Sequence, residues 1–305
     1  MVRMRRSLGR ELRDGTNAAF SGTGNCATAQ MRRSELQRGT IRRVEGSSRP
    51  KLLAERRGPV TLVTLNRADV HNNVDAEVAV ALAEAIEAFA ADTAASVLVI
   101  TGAGDRAFCA GANLKGIEDL VKHRYVDTAG PMGFSRLDPG KPTIAAVNGY
   151  CFAGGMELAC WCDFRIAAEN AEFGALNRRW GVPFTDGGTQ RFPRIVGQGN
   201  ALWLIQTGIR FDARRALSLG LVQEVVPVGQ ALPRALELAG HISSYPQASL
   251  RSDRAAALAS FGLPLDDGLL LEAKLGRASV ADSEMWAGLQ RFAAGDRPDP
   301  PRAAR

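Results

Sequence analysis

The sequence predicts an α/β fold in which strand–strand–helix units repeat, followed by a helical C-terminal region. Three observations carry this. Short apolar, partly β-branched runs recur at Val60-Thr61-Leu62-Val63-Thr64-Leu65, at Val97-Leu98-Val99-Ile100 and from Thr143 to Val147, each with the length and composition of a buried strand. Between the first two, Asp75 to Ala91 places Val78, Leu82, Ile86 and Phe89 at helical spacing. From Gly197 onward the chain reads as successive helices: Gln198 to Gln206, Ala213 to Leu219, Ala231 to Ser243, Gln247 to Phe261 and Asp266 to Phe292. Strands that alternate with helices and then give way to helices imply a layered α/β core with a helical appendage.

The elements follow in chain order. Residues 1–50 are rich in Arg, Ser, Gly and Thr, without apolar periodicity and without the apolar stretch of a secretory signal, so a basic, disordered extension is expected. Met31 stands as an alternative start. The net charge of +6 and pI near 9.4 come from this arm. Residues 1–57 hold 14 Lys/Arg against 5 Asp/Glu, and the remainder 24 against 27. The body is therefore mildly acidic, which argues against a specific nucleic-acid partner.

Asn66-Arg67 ends the first strand, and Ser96 to Thr101 forms a strand apolar on both faces. Ala107 to Lys115 reads as a loop, Ile117 to Val126 as a helix, and Asp127 to Lys141, with its Gly and Pro residues, as a mobile segment. Phe164 to Ala167 and Glu172 to Ala175 are two more strands. The core is expected over 51–245, with a helical oligomerisation region over 246–305.

No apolar run approaches the roughly 20 residues that span a bilayer, so no membrane partner is expected and a soluble, cytoplasmic protein is. Cysteines stand at 26, 109, 151, 160 and 162 with no Cys-x-x-Cys pair and no Cys/His cluster. No metal site is expected, and Cys109, Cys151, Cys160 and Cys162 read as small core residues in a reducing compartment. His71, His123 and His241 fall in no hydrolase arrangement.

The chemistry concentrates in Pro142 to Asp163. A buried strand ends at the turn signal Asn148-Gly149, and Gly154-Gly155 then opens the helix-forming Met156-Glu157-Leu158-Ala159. A helix starting at Gly154 leaves its first N–H groups without internal partners at the positive end of the macrodipole, and glycine lets another group approach them. That suits an oxyanion hole, and Glu157 in the first turn suits proton transfer beside an enolate. An acidic residue that merely complements the helix start is the other reading.

Asn148-Gly149-Tyr150, Gly154-Gly155, Glu157-Leu158-Ala159 and Cys162-Asp163 together resemble the signature of the enoyl-CoA hydratase (crotonase) superfamily. Ala107-Phe108-Cys109-Ala110-Gly111-Ala112-Asn113-Leu114-Lys115 and Gly187-Gly188-Thr189-Gln190-Arg191, the latter followed by Gln206-Thr207-Gly208, match two further blocks in order. The resemblance runs from about Arg57 to the C-terminus. It implies a spiral of ββα units and a trimer or hexamer of identical subunits. It also implies an acyl-CoA substrate that brings its own CoA, with no other cofactor. The thioester oxygen would be held by the N–H groups of Ala112 and Gly154, with Glu157 as catalytic carboxylate. Arg67, Val70, His71, Asn72, Ala110 and Lys115 would lie near CoA, although Lys115 also reads as a solvated lysine.

The chain departs from that pattern. The second hydratase glutamate falls on Asn177, which can orient water or substrate but cannot exchange a proton at neutral pH. Asp186 is the available replacement, or else an ordinary Asp-Gly turn residue. Asn113 stands where the family usually has Asp, which alters local turn bonding. Arg178-Arg179 hints at an acidic acyl group, since arginines grip carboxylates, or forms a solvated loop. The leading expectation is hydration of a 2-enoyl-CoA. The alternatives are an isomerase, a CoA-binding scaffold without turnover, or an RNA-binding relative. Asp75 to Ala91 contains no Lys or Arg, which counts against the last.

Overall fold

The computed structural model describes residues 49–124 and 128–302, with side chains of 121–124 excepted. Residues 1–48, Cys26 among them, and the side chain of His123 lie outside them. Among the described residues, one sheet has the order β1 (Leu52–Arg57), β2 (Val60–Leu65), β3 (Val97–Gly102), β5 (Thr143–Val147), β7 (Phe164–Ala168) and β10 (Glu224–Val226). A smaller sheet has the order β4 (Ala107–Cys109), β6 (Tyr150–Phe152), β8 (Glu172–Gly174) and β9 (Arg210–Asp212). The pairs β1–β2 and β8–β9 are antiparallel, and the rest are parallel. Strands β3, β5 and β7 each run on into a short strand of the smaller sheet, and this repetition makes the expected spiral.

The helices are α1 (Ala76–Ala91), α2 (Ile117–Arg124), α3 (Gly154–Trp161), α4 (Gly188–Val196), α5 (Gln198–Thr207), α6 (Ala213–Ser218), α7 (Ala231–Ser244), α8 (Gln247–Ala259), α9 (Leu265–Val280) and α10 (Ser283–Ala293). The start of α1 is set by Asp75, whose Oδ1 accepts the Val78 N–H at 3.0 Å. Its end is set by Lys141, whose buried ammonium donates to the Phe89 and Asp92 carbonyls at 2.8 and 2.7 Å. The large sheet is buried on both faces. Ala231, Ala235 and Ala239, one turn apart on α7, pack against Val97, Val99 and Ile144 on one face. On the other, Leu98, Ile100 and Val147 share a core with α1, α3 and the small sheet.

Three findings revise the sequence reading. Strands β4, β6, β9 and β10 are three residues each, too short to show an alternating pattern, and β1 is a half-exposed edge strand ending in charges. The helix expected over Asp266 to Phe292 is two helices. Asp282 breaks it by capping α10, its Oδ1 accepting the Glu284 N–H at 2.9 Å. The segment expected to be mobile before Lys141 is packed instead: Met132 and Phe134 are buried, and Trp161 Nε1 donates to the Leu137 carbonyl at 2.8 Å. The four described cysteines are free and buried, as expected of core residues.

Arg165, from β7, is buried and unites three elements. It donates to the Leu221 carbonyl at 2.6 Å, the Cys162 carbonyl at 3.0 Å and the Ala159 carbonyl at 3.4 Å, and Nη2 reaches Gln223 Oε1 at 3.3 Å. Arg165→Met would strand these buried acceptors. A loss of about 3 kcal/mol in folding stability is expected, measurable as a lowered urea midpoint.

Candidate active site

The connection from β6 to α3 carries unusual backbone geometry. Ala153 has φ +50 and ψ −120, a region that side chains other than glycine rarely enter. This sharp reversal turns the chain directly into α3, so Gly154 is its first residue. Space there is tight. A Cβ on Gly155 would overlap the Cys109 carbonyl oxygen, and one on Gly154 would strike Met132 Sδ.

The second loop, after β4, reaches the same point. Gly111 has φ +92, and a Cβ there would lie 2.9 Å from Gly154 N. The loop is anchored to Val74, which donates to the Gly111 carbonyl at 2.9 Å and accepts the Asn113 N–H at 2.7 Å. This ladder uses the groups on either side and leaves the Ala112 N–H out of it. Gly154 N, as the first N–H of its helix, likewise has no helical partner. Both residues line one cavity of about 360 Å3. Asn113 serves the turn itself, with Oδ1 accepting the Lys115 N–H at 3.3 Å.

Glu157 and Asp186 enter this cavity side by side. Glu157 is 3% exposed, and its Oε1 accepts the Asp186 N–H at 2.9 Å and the Gly188 N–H at 2.8 Å. It therefore does not cap its own helix; the loop before α4 holds it. Asp186 is 2% exposed, and its Oδ1 accepts the Met132 N–H at 3.0 Å. Burial, and then the neighbouring Asp186 charge, push Glu157 from 4.5 up to about 8. Burial also raises Asp186, against the opposing pull of the Met132 N–H. Arg191 braces the loop by donating to the carbonyls of Asp186 at 3.1 Å and Ser135 at 2.7 Å.

Asn177 faces the same space, 6% exposed, on a short 3-10 helix over Leu176–Trp180. Its Nδ2 donates to the Val182 carbonyl at 2.8 Å, whereas Oδ1 is buried with no protein donor. The amide is thus pinned with an acceptor left over. Apolar walls come from Leu114, Ile117, Leu120, Phe152, Leu176 and Phe184.

Of the residues expected near CoA, Ala110 lines the cavity, whereas Arg67, Val70, His71, Asn72 and Lys115 do not. The side chains of Arg67 and Asn72 are engaged within the protein. The Arg67 guanidinium binds Asn73 Oδ1 at 2.6 Å and Asp75 at 3.1 Å. Buried Asn72 donates to the Ala103 and Ala107 carbonyls at 3.0 and 2.7 Å. Both hold the loop in shape. Val70 closes a 3-10 turn, and His71, at φ +55, accepts the Ala110 N–H at 3.0 Å through its carbonyl. Lys115 is exposed. Met132 and Arg191 were invisible as site residues, because no local pattern brings Met132 to a carboxylate 54 positions away.

Two buried carboxyl residues share a cavity with the backbone of Ala112 and Gly154, an arrangement suited to proton chemistry next to a carbonyl. The enoyl-CoA hydratase/isomerase family model matches residues 55–299. The crotonyl-CoA hydratase of Syntrophomonas wolfei is 34% identical over 244 residues, spanning 79% of this chain and 94% of that one. Crystal structures of enoyl-CoA hydratases from Bacillus anthracis and Mycobacterium marinum superpose with TM-scores of 0.77 each. They are 32% and 33% identical, and each comparison covers 82% of this chain and 98% of the other. The chain belongs to the enoyl-CoA hydratase/isomerase family, and its fold is the crotonase fold.

The raised Glu157 has a consequence for stability. Between 4.5 and about 8 the folded protein keeps a proton that the unfolded chain has released, so stability falls as pH rises through that window. Asp186 acts in the same direction. Glu157→Gln can still accept both N–H groups and has no proton to lose. It is expected to exceed wild type in stability at about pH 8, with the gap shrinking toward about pH 5. Urea midpoints of both proteins at the two pH values check this; a gap independent of pH contradicts it.

Proposed function

We propose that this enzyme hydrates a 2-enoyl-CoA to a 3-hydroxyacyl-CoA. The observation that carries the reading is the contact between Glu157 and Asp186, two buried carboxylates against one wall of a cavity that also presents the N–H groups of Ala112 and Gly154. The thioester oxygen accepts from those two N–H groups, which draws electron density from the double bond. A water molecule stands between Asp186 and C3, with Asn177 on the same wall of the cavity. Asp186, as carboxylate, takes a proton from that water while its oxygen bonds to C3. The electron pair moves onto the thioester as an enolate, and Glu157 delivers its proton to C2. Water has then added across the double bond, and transfer of a proton from Asp186 to Glu157 through solvent restores the site.

The division of labour follows from the environment. Burial and then the neighbouring Asp186 charge raise Glu157 to about 8, so it holds a proton at neutral pH. CoA enters as part of the substrate, and the scheme uses no other cofactor. Movement of a proton between C4 and C2, an isomerisation, is the second reading, favoured by Asn177 standing where a proton-exchanging residue would otherwise serve water.

We further propose a homotrimer or homohexamer in the cytoplasm. Large apolar side chains are exposed along α8 to α10 and the turn after α8, among them Leu258, Phe261, Leu270, Trp286 and Phe292, and such a surface is suited to association with another subunit. The four free thiols suit a reducing compartment. No helix among the described residues is long and apolar enough to cross a membrane.

With crotonyl-CoA, loss of enoyl absorbance is expected for wild type. Glu157→Gln and Asp186→Asn should each reduce kcat by about 100-fold or more. Gly111→Ala, whose methyl group would crowd Gly154 N, should cost about 100-fold with retained circular dichroism. The wild-type rate should decline above about pH 8 as Glu157 loses its proton. Hydration that survives in Asp186→Asn overturns the two-carboxylate scheme. A 3-enoyl-CoA converted while crotonyl-CoA is untouched favours isomerisation.

A further inference from the structure

We infer that Arg179 selects acyl chains whose far end carries a carboxylate, which makes the substrate an enoyl-CoA with an anionic terminus. This rests on the acyl-CoA reading of the site. Arg179 lines the cavity yet is exposed, so it stands at the rim. Among the described residues its guanidinium has no hydrogen-bond or ion-pair partner, in contrast to Arg67, Arg165, Arg191 and Arg210, each of which is engaged within the protein. Trp180, 67% exposed beside it, also lines the cavity and offers an apolar face to the chain leading up to that terminus.

The position of Arg179 in the chain points to the acyl end. Residues 176–186 form one compact loop, closed by Asn177 Nδ2 on the Val182 carbonyl at 2.8 Å and by the Val182 N–H on the Asn177 carbonyl at 3.3 Å. That loop ends at Asp186, against Glu157. Its side chains Leu176, Asn177 and Phe184 line the cavity together with Glu157 and Asp186, and Arg179 lines it with them. Leu114, Ile117, Leu120 and Phe152 give the acyl chain apolar contact on the way. A planar guanidinium beyond such a lining matches a carboxylate with two parallel hydrogen bonds. The absence of any protein carboxylate on Arg179 leaves that position to the ligand.

The test compares two six-carbon 2-enoyl-CoA thioesters, one ending in a methyl group and one in a carboxylate, on wild type, Arg179→Met and Arg179→Lys. The readout is the ratio of kcat/KM for the carboxylated over the methyl-ended substrate. This ratio should fall by roughly tenfold in Arg179→Met, as expected for a rim ion pair, and recover in part in Arg179→Lys. An unchanged ratio overturns the assignment, whether Arg179 then proves idle or bound to the CoA phosphates, since a CoA contact lowers both substrates alike. If wild type hydrates neither thioester, the hydratase reading fails on its own. Calorimetric dissociation constants for adipoyl-CoA and hexanoyl-CoA then decide the point. A ratio shifted by Arg179→Met upholds the carboxylate site, and an unshifted one removes it.

Discussion

The site depends on one carboxylate oxygen. Glu157 Oε1 receives the N–H groups of Asp186 and Gly188 at 2.9 and 2.8 Å, and so binds α3 to the loop before α4. A buried carboxylate without such donors would be costly, and two charge-assisted bonds offset part of that cost. The same bonds place Asp186 beside it. The burial that makes the pair expensive also lifts Glu157 into the range where an acid is useful at neutral pH. Structure and reactivity here have one cause.

Backbone geometry supports that arrangement from below. The reversal at Ala153, the close approach of Gly111 to Gly154 N and the contact of Gly155 with the Cys109 carbonyl bring two strand ends of the smaller sheet together. Main-chain atoms form this part of the cavity wall and add no side-chain volume to it. Arg191 and Met132 then hold the carboxylate loop from behind, through a carbonyl and an N–H respectively.

Much of the fold and the heart of the site were legible in the chain. Val97 to Ile100 and Thr143 to Val147 read as buried strands because both faces are apolar, and the period of Val78, Leu82, Ile86 and Phe89 marked α1. Gly154-Gly155 before Met156-Glu157 announced a helix start open to an approaching group. The three-residue strands were illegible, since three residues carry no period, and Asp282 was hidden inside an otherwise helical pattern. The segment around Met132 looked loose because Gly and Pro punctuate it, although tertiary contacts bury it.

The sequence by itself determined the residue types on which the chemistry turns: a glutamate in the first turn of a glycine-opened helix, an aspartate before Gly187, and an asparagine where it can hold water but not exchange a proton. Those are local facts, encoded within a few residues of each position. Only the tertiary structure decided that Glu157 is held by the loop of Asp186 and not by its own helix start. It also decided that the Asn177 amide is pinned by the Val182 carbonyl with its own oxygen buried, and that Arg67 and Asn72 are occupied within their loop. The bonds on Glu157 and those made by Asn72 join residues 29 or more positions apart, and partners so distant leave no trace in spacing.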